Sequence, residues 1–90
     1  MKVLRIRHNS KTLLDSIIME DEYRYNTLIS ELESLLKKFN MKKSSLSRKV
    51  VIFKNNRDTI EIEDVKHYIE PININNDEIK LKIVSAILKL

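Results

Sequence analysis

The clearest periodicity in the chain lies in residues 25–39. Tyr25, Leu28, Ile29, Leu32, Leu35, Leu36 and Phe39 step by threes and fours, while Ser30, Glu31, Glu33, Lys37 and Lys38 fall outside the stripe. That spacing predicts an amphipathic helix. Its acids lie toward the start and its lysines at the end, the order that complements a helix dipole, so the helix is expected to stop near Asn40. In a chain without glycine, asparagine is the residue best suited to a left-handed turn, and Asn40 is read as one. Upstream, Thr12 and Asp15 have the spacing of a capping box. Leu13, Leu14, Ile17 and Ile18 then fall at helical intervals, which predicts a first helix of about two to three turns. Residues 1–9 alternate apolar and basic positions and suit an edge strand or an N-terminal arm.

Beyond Asn40, Ser44 or Ser45 can start a third helix. Leu46, Val50 and Phe53 would share its buried face, and Lys42, Lys43, Ser45, Ser47, Arg48 and Lys49 would lie largely off it. Residues 55–58 form a turn cluster, after which Thr59, Ile60, Glu61 and Ile62 alternate like a short strand. The same residues allow another pairing, in which 50–53 and 59–62 form a wing-like hairpin. Residues 64–70, with Val65, Tyr68 and Ile69 apolar, read as a short helix stopped by Pro71. Asn76 can cap a final helix over 77–90, with Asp77 and Glu78 in its first turn. Leu81 and Leu88 widen its apolar stripe, so Ile79, Ile83, Ile87 and Leu90 are candidates for an oligomer interface. The expected fold is mainly α: one small helical domain over 1–90, with a short β-hairpin as an option that would make it winged-helix-like.

Composition narrows the function. Ninety residues with 42% hydrophobic content support one thin core, which makes a homodimer a fair expectation. The absence of glycine removes Walker loops, dinucleotide fingerprints and nucleophile elbows together. The absence of cysteine removes disulfides, zinc fingers and thiol catalysis. The first residues lack the apolar run of a signal peptide, so the expected location is cytoplasmic or nucleoid-associated rather than secreted. The net charge is +4, yet residues 37–57 hold eight basic side chains and no acid, leaving the rest of the chain acidic. These are Lys37, Lys38, Lys42, Lys43, Arg48, Lys49, Lys54 and Arg57. Such a concentration points to a polyanion, with double-stranded DNA first. The plain alternative is a solvated lysine face.

Residues 35–50, Leu-Leu-Lys-Lys-Phe-Asn-Met-Lys-Lys-Ser-Ser-Leu-Ser-Arg-Lys-Val, resemble the helix-turn-helix of bacterial and archaeal transcription regulators. Leu35, Leu36 and Phe39 match the positions closing the first helix, Asn40 the turn, Met41 the plug, and Leu46 with Val50 the buried side of the recognition helix. The resemblance implies that Lys42, Lys43, Ser44, Ser45, Ser47, Arg48 and Lys49 face the major groove or its phosphates, with Arg48 the candidate for guanine edges. Lys37, Lys38, Lys54 and Arg57 would add phosphate contacts. Residues 57–69 are similar, more weakly, to the end of a histone fold or of the helical lid of AAA+ ATPases.

No catalytic residue, metal ligand or cofactor is assigned. His8 and His67 stand far apart without ligand spacing, and Glu61, Glu63 and Asp64 read as solubilising and capping residues. Ser44, Ser45 and Ser47 have no identifiable base. The basic block carries no interleaved tyrosine for single-strand stacking and no broad apolar face for a membrane surface. The expectation is therefore a non-enzymatic DNA-binding protein, a small transcription regulator that inserts a basic recognition helix into the major groove. The competing class is an accessory protein-interaction subunit of a replication, transcription or viral nucleoprotein complex, docking on an acidic protein partner.

Overall fold

A computed structural model of the chain describes residues 1–66 and 70–90. Strands β1 (Lys2–His8), β2 (Lys11–Met19), β3 (Lys42–Ser47), β4 (Val50–Lys54) and β5 (Thr59–Asp64) make one sheet in the order β2-β1-β5-β4-β3. Every named neighbour pair in it is antiparallel. Two helices, α1 (Glu22–Leu36) and α2 (Asn76–Leu88), pack on one face. This mixed architecture corrects the mainly α expectation. It also removes the helix-turn-helix, because residues 42–47 are a strand and not a recognition helix.

The strands follow side-chain alternation where the sheet has one buried face. In β5, Ile60 and Ile62 enter the core while Glu61 and Glu63 face outward; Leu4 and Ile6 alternate with Arg5 and Arg7 in β1. Val51 and Phe53 of β4, with Ile17 and Met19 of β2, complete the sheet side of the core. Leu28, Leu32 and Leu36 of α1 and Ile79, Ile83 and Ile87 of α2 close it from above. The three isoleucines read as interface candidates are thus buried within one chain, whereas Leu90 is exposed.

Residues 11–19 form a strand, not the helix that their spacing suggests. The register passes from Leu4↔Ile17 to Ile6↔Leu14, so β2 carries a bulge, with buried Ser16 in the left-handed region at φ 57°. The bulge separates two apolar doublets, Leu13-Leu14 and Ile17-Ile18, by a distance that imitates helical periodicity. Asn9 and Ser10, at φ 49° and 70°, form the two-residue turn joining β1 to β2. Consequently β1 is an interior strand with a neighbour on each side. Beyond β2, Ile72 pairs with Ser16 and Ile18 through backbone hydrogen bonds of 2.7 and 3.0 Å and covers part of that edge. Among the described residues, nothing pairs with the outer edge of β3.

Other expectations agree with the structure. The stripe over 25–39 becomes α1 and a 3₁₀ turn at Lys37–Phe39, and Asn40 is left-handed at φ 58°, ψ 29°. The hairpin pairing is the one adopted, with Val51↔Ile62 and Phe53↔Ile60 in register. Asp21 caps α1 by accepting from the Arg24 N–H at 2.8 Å, and Asn75, one residue before the expected cap, does the same for Glu78 in α2. Of the segment read as a helix over 64–70 or as a histone-fold or lid ending over 57–69, Thr59–Asp64 is β5, and residues 67–69 lie outside the described residues. No helix among the described residues is long and apolar enough to cross a membrane.

The N-terminus is tied down by Lys2, whose ammonium lies 3.3 Å from Glu22, 3.4 Å from Asp64 and 4.9 Å from the centre of the Tyr25 ring. Burial by itself lowers the pKa of Lys2, but Glu22 and Asp64 together raise it above the ordinary 10.5. Burial raises the Tyr25 phenol above 10.0. Both groups therefore hold their protons more tightly when folded. Their contribution to stability is complete below about pH 10 and is lost as pH rises through the folded-state values. Thermal melts from about pH 8 to about 12 are expected to show the midpoint falling above pH 10, and Lys2→Met is expected to shrink that fall.

Candidate nucleic-acid interface

The fold sets two groups of basic residues apart. On the outer face of the sheet, Arg5 lies 3.1 Å from Asp15 and opposite Glu63 in the ladder, and Arg7 stands opposite Glu61. Lys2 is paired as described, and Lys80 joins Glu31 and Asp77 at 3.3 and 3.1 Å. Opposite charges facing each other across strands support the sheet and leave little net field there.

The second group is the block over 37–57. Lys37, Lys38, Lys42, Lys43, Ser44, Ser45, Ser47, Arg48, Lys49, Lys54 and Arg57 are all exposed. They lie on the 3₁₀ turn, on the β3–β4 hairpin and on the turn that follows it. Among the described residues one acid reaches this block: Glu33, with its carboxylate 3.6 Å from the Lys43 ammonium. The hairpin spreads its charges over two ends. Lys42, Lys43 and Lys54 gather at its base, whereas Arg48 and Lys49 occupy its tip, about 20 Å away for a six-residue strand. Arg48 therefore sits in a tight turn and not on the helix that would present it to base edges.

At the base, Lys42 and Lys54 are directly opposed in the β3–β4 register, and Thr59 continues the row on β5. No acid stands in that row. Directly opposed side chains have Cβ atoms about 5 Å apart, a spacing at which like charges destabilise a sheet. A cleft of about 440 Å³ opens beside the pair, lined by Asn40, Lys42, Lys43, Ser44, Lys54, Asn55 and Asn56. Asn55 holds its shape: its amide donates to the Phe39 carbonyl at 2.7 Å, and its side-chain oxygen accepts from the Arg57 and Asp58 N–H groups at 2.8 and 2.7 Å. Behind it, buried Asp58 accepts from His8 Nε2 at 2.7 Å, which joins the start of β5 to the end of β1. His8 is engaged in that pair.

Sequence reasoning did not include Asn40, Asn55 and Asn56 in the site. Two asparagines in a turn, with a left-handed asparagine next to lysines, were the available signal, because such residues bring polar side chains and a sharp reversal to the same place. The opposition of Lys42 and Lys54 had none, since it depends on strand register. Comparison with protein families, with curated protein sequences and with solved structures returns no match.

Proposed function

We propose that this protein is a non-enzymatic double-stranded-DNA-binding protein that grips the phosphate backbone through the β3–β4 hairpin and the asparagine-lined cleft at its base. The observation that carries this reading is the directly opposed, acid-free pair of Lys42 and Lys54. A phosphate oxygen between two such ammonium groups turns a repulsion into two attractions and releases counterions from the DNA. Lysines act at such an edge as point charges that position the protein on the phosphates without reading sequence. Duplex is favoured over single strands because Lys42–Ser47 and the adjoining turn carry no aromatic ring for bases to stack on.

Fluorescence anisotropy of a labelled random duplex, at about 50 and 200 mM salt, tests this. Wild-type binding is expected to weaken steeply between the two conditions. The double variant Lys42→Glu/Lys54→Glu is expected to lose about 100-fold in affinity and about two units of salt slope. No wild-type binding at low salt, or an unchanged slope in the double variant, would reject the assignment. A second reading rests on the uncovered edge of β3, which offers backbone groups for an added strand from an acidic protein. In that case DNA would not bind, and an acidic extended peptide would shift the amide NMR signals of residues 42–47.

A further inference from the structure

We infer that the groove between α1 and α2 is the contact surface of a two-fold homodimer, independently of what the hairpin binds. The helix α2 carries two apolar stripes. Ile79, Ile83 and Ile87 turn into the core, while Leu81, Val84 and Leu88 repeat on another side at intervals of three and four. Leu81 is 66% exposed and Leu88 50% exposed. Beside them Leu35 of α1 is only half-buried, and together with Leu81 and Val84 it lines an open groove of about 570 Å³. Fully burying a leucine is worth about 1.5–3 kcal/mol, so Leu81 left in water beside the half-buried Leu35 and Val84 marks an apolar surface that a partner would cover.

The charges around the groove identify that partner as a second copy. The two helices run in the same direction: Arg24 meets Asn76, Glu31 meets Lys80, and Phe39 shares a cavity with Ile87 and Leu88. Glu31 therefore stands at the beginning of the groove and Lys38 at its end, about 10 Å further along α1 and the 3₁₀ turn that follows it. A two-fold axis perpendicular to the helices lays the groove on its own copy in the opposite sense. Each Glu31 then faces the partner's Lys38, Leu35, Leu81 and Val84 meet at the centre, and the aligned helix dipoles of one protomer oppose those of the other. Lys80, bridging Glu31 and Asp77, keeps the Glu31 carboxylate at the rim.

Sedimentation equilibrium of the full chain from about 1 to 200 µM tests the assignment. The wild type is expected at twice the 10.7 kDa chain mass in the upper part of that range. Leu81→Asp is expected to sediment as a monomer with an unchanged circular dichroism spectrum, because the side chain is mostly exposed. Lys38→Glu, at an exposed position, is expected to weaken the dimer at least about tenfold, with less effect at high salt. Leu46→Asp serves as the control, since Leu46 is also exposed but lies on the hairpin, and it is expected to leave the mass unchanged. A monomeric wild type, a dimeric Leu81→Asp variant, or dissociation by Leu46→Asp as complete as by Leu81→Asp would each overturn the inference. None of these outcomes depends on DNA, so failure here is distinct from failure of the hairpin reading.

Discussion

Replacing Phe53 by alanine is expected to destabilise the protein by about 3–5 kcal/mol. Phe53 is the largest of the fully buried side chains, at 1% exposure. It stands on β4, opposite Ile60 of β5 and Lys43 of β3, in the same cluster as Leu36 and Met41. Alanine removes the ring's transfer free energy and leaves a void that the sheet cannot readily close, because β5 is held in register by its ladder with β1 as well as by that with β4. A domain of this length has roughly 5–10 kcal/mol in total, so the variant should unfold at a small fraction of the wild-type urea midpoint. Phe53→Leu, which fills much of the volume, is expected to cost less than about 2 kcal/mol. An alanine variant with a nearly wild-type midpoint would show that the core around β4 repacks freely. The effect bears on function too, since among the described residues β4 is the only strand that pairs with β3.

A second large loss, about 2–3 kcal/mol, is expected for Arg24→Ala, although Arg24 is a partly exposed charged residue. Its guanidinium donates from Nε to Asn76 Oδ1 at 3.1 Å, from Nη1 to the Ile18 carbonyl at 3.2 Å, and from Nη2 to the Ile74 carbonyl. Asn76 donates back to the Arg24 carbonyl at 3.2 Å. One side chain thus joins the first turn of α1, the end of β2, the segment before α2 at Ile74 and the start of α2. Removing it leaves carbonyls without donors and releases the α2 N-terminus, and a lysine gathers its donors on one nitrogen where the guanidinium reaches the three acceptors from three. Arg24→Lys is therefore expected to recover little of the loss. For a domain of this size the thermal midpoint should drop by about 10 °C or more, and a drop under about 3 °C would show that water replaces the clamp.

The elements that were legible in the sequence are those whose signal is local. In α1 the apolar stripe, the acid-to-lysine order and the terminating Asn40 all lie within sixteen residues, and the helix end falls where they place it. The final helix is legible for the same reason, through Asp77 and Glu78 at its start. The two misread segments are strands without alternation. The Ser16 bulge doubles the apolar positions of β2 into a helical rhythm, and the exposed run Lys42–Ser47 contains only one apolar residue, Leu46. The turn between β1 and β2 is hidden as well, because Asn9 and Ser10 do the work that glycine usually announces.

Composition and local spacing established a positive block of eight side chains between residues 37 and 57, the lack of the glycines and cysteines that several active-site motifs require, and the helical stripes of residues 25–39 and 77–90. These are properties of composition and of contacts a few residues apart. Strand pairing and packing put the block on a hairpin instead of a helix, set Lys42 opposite Lys54, and placed Ile79, Ile83 and Ile87 in the core while leaving Leu81 and Leu88 outside it. One cause is common to all three. A polar edge strand has no stable conformation of its own and takes one from the backbone donors and acceptors of β4. Likewise, which side of an apolar-rich helix is buried depends on the sheet packed against it.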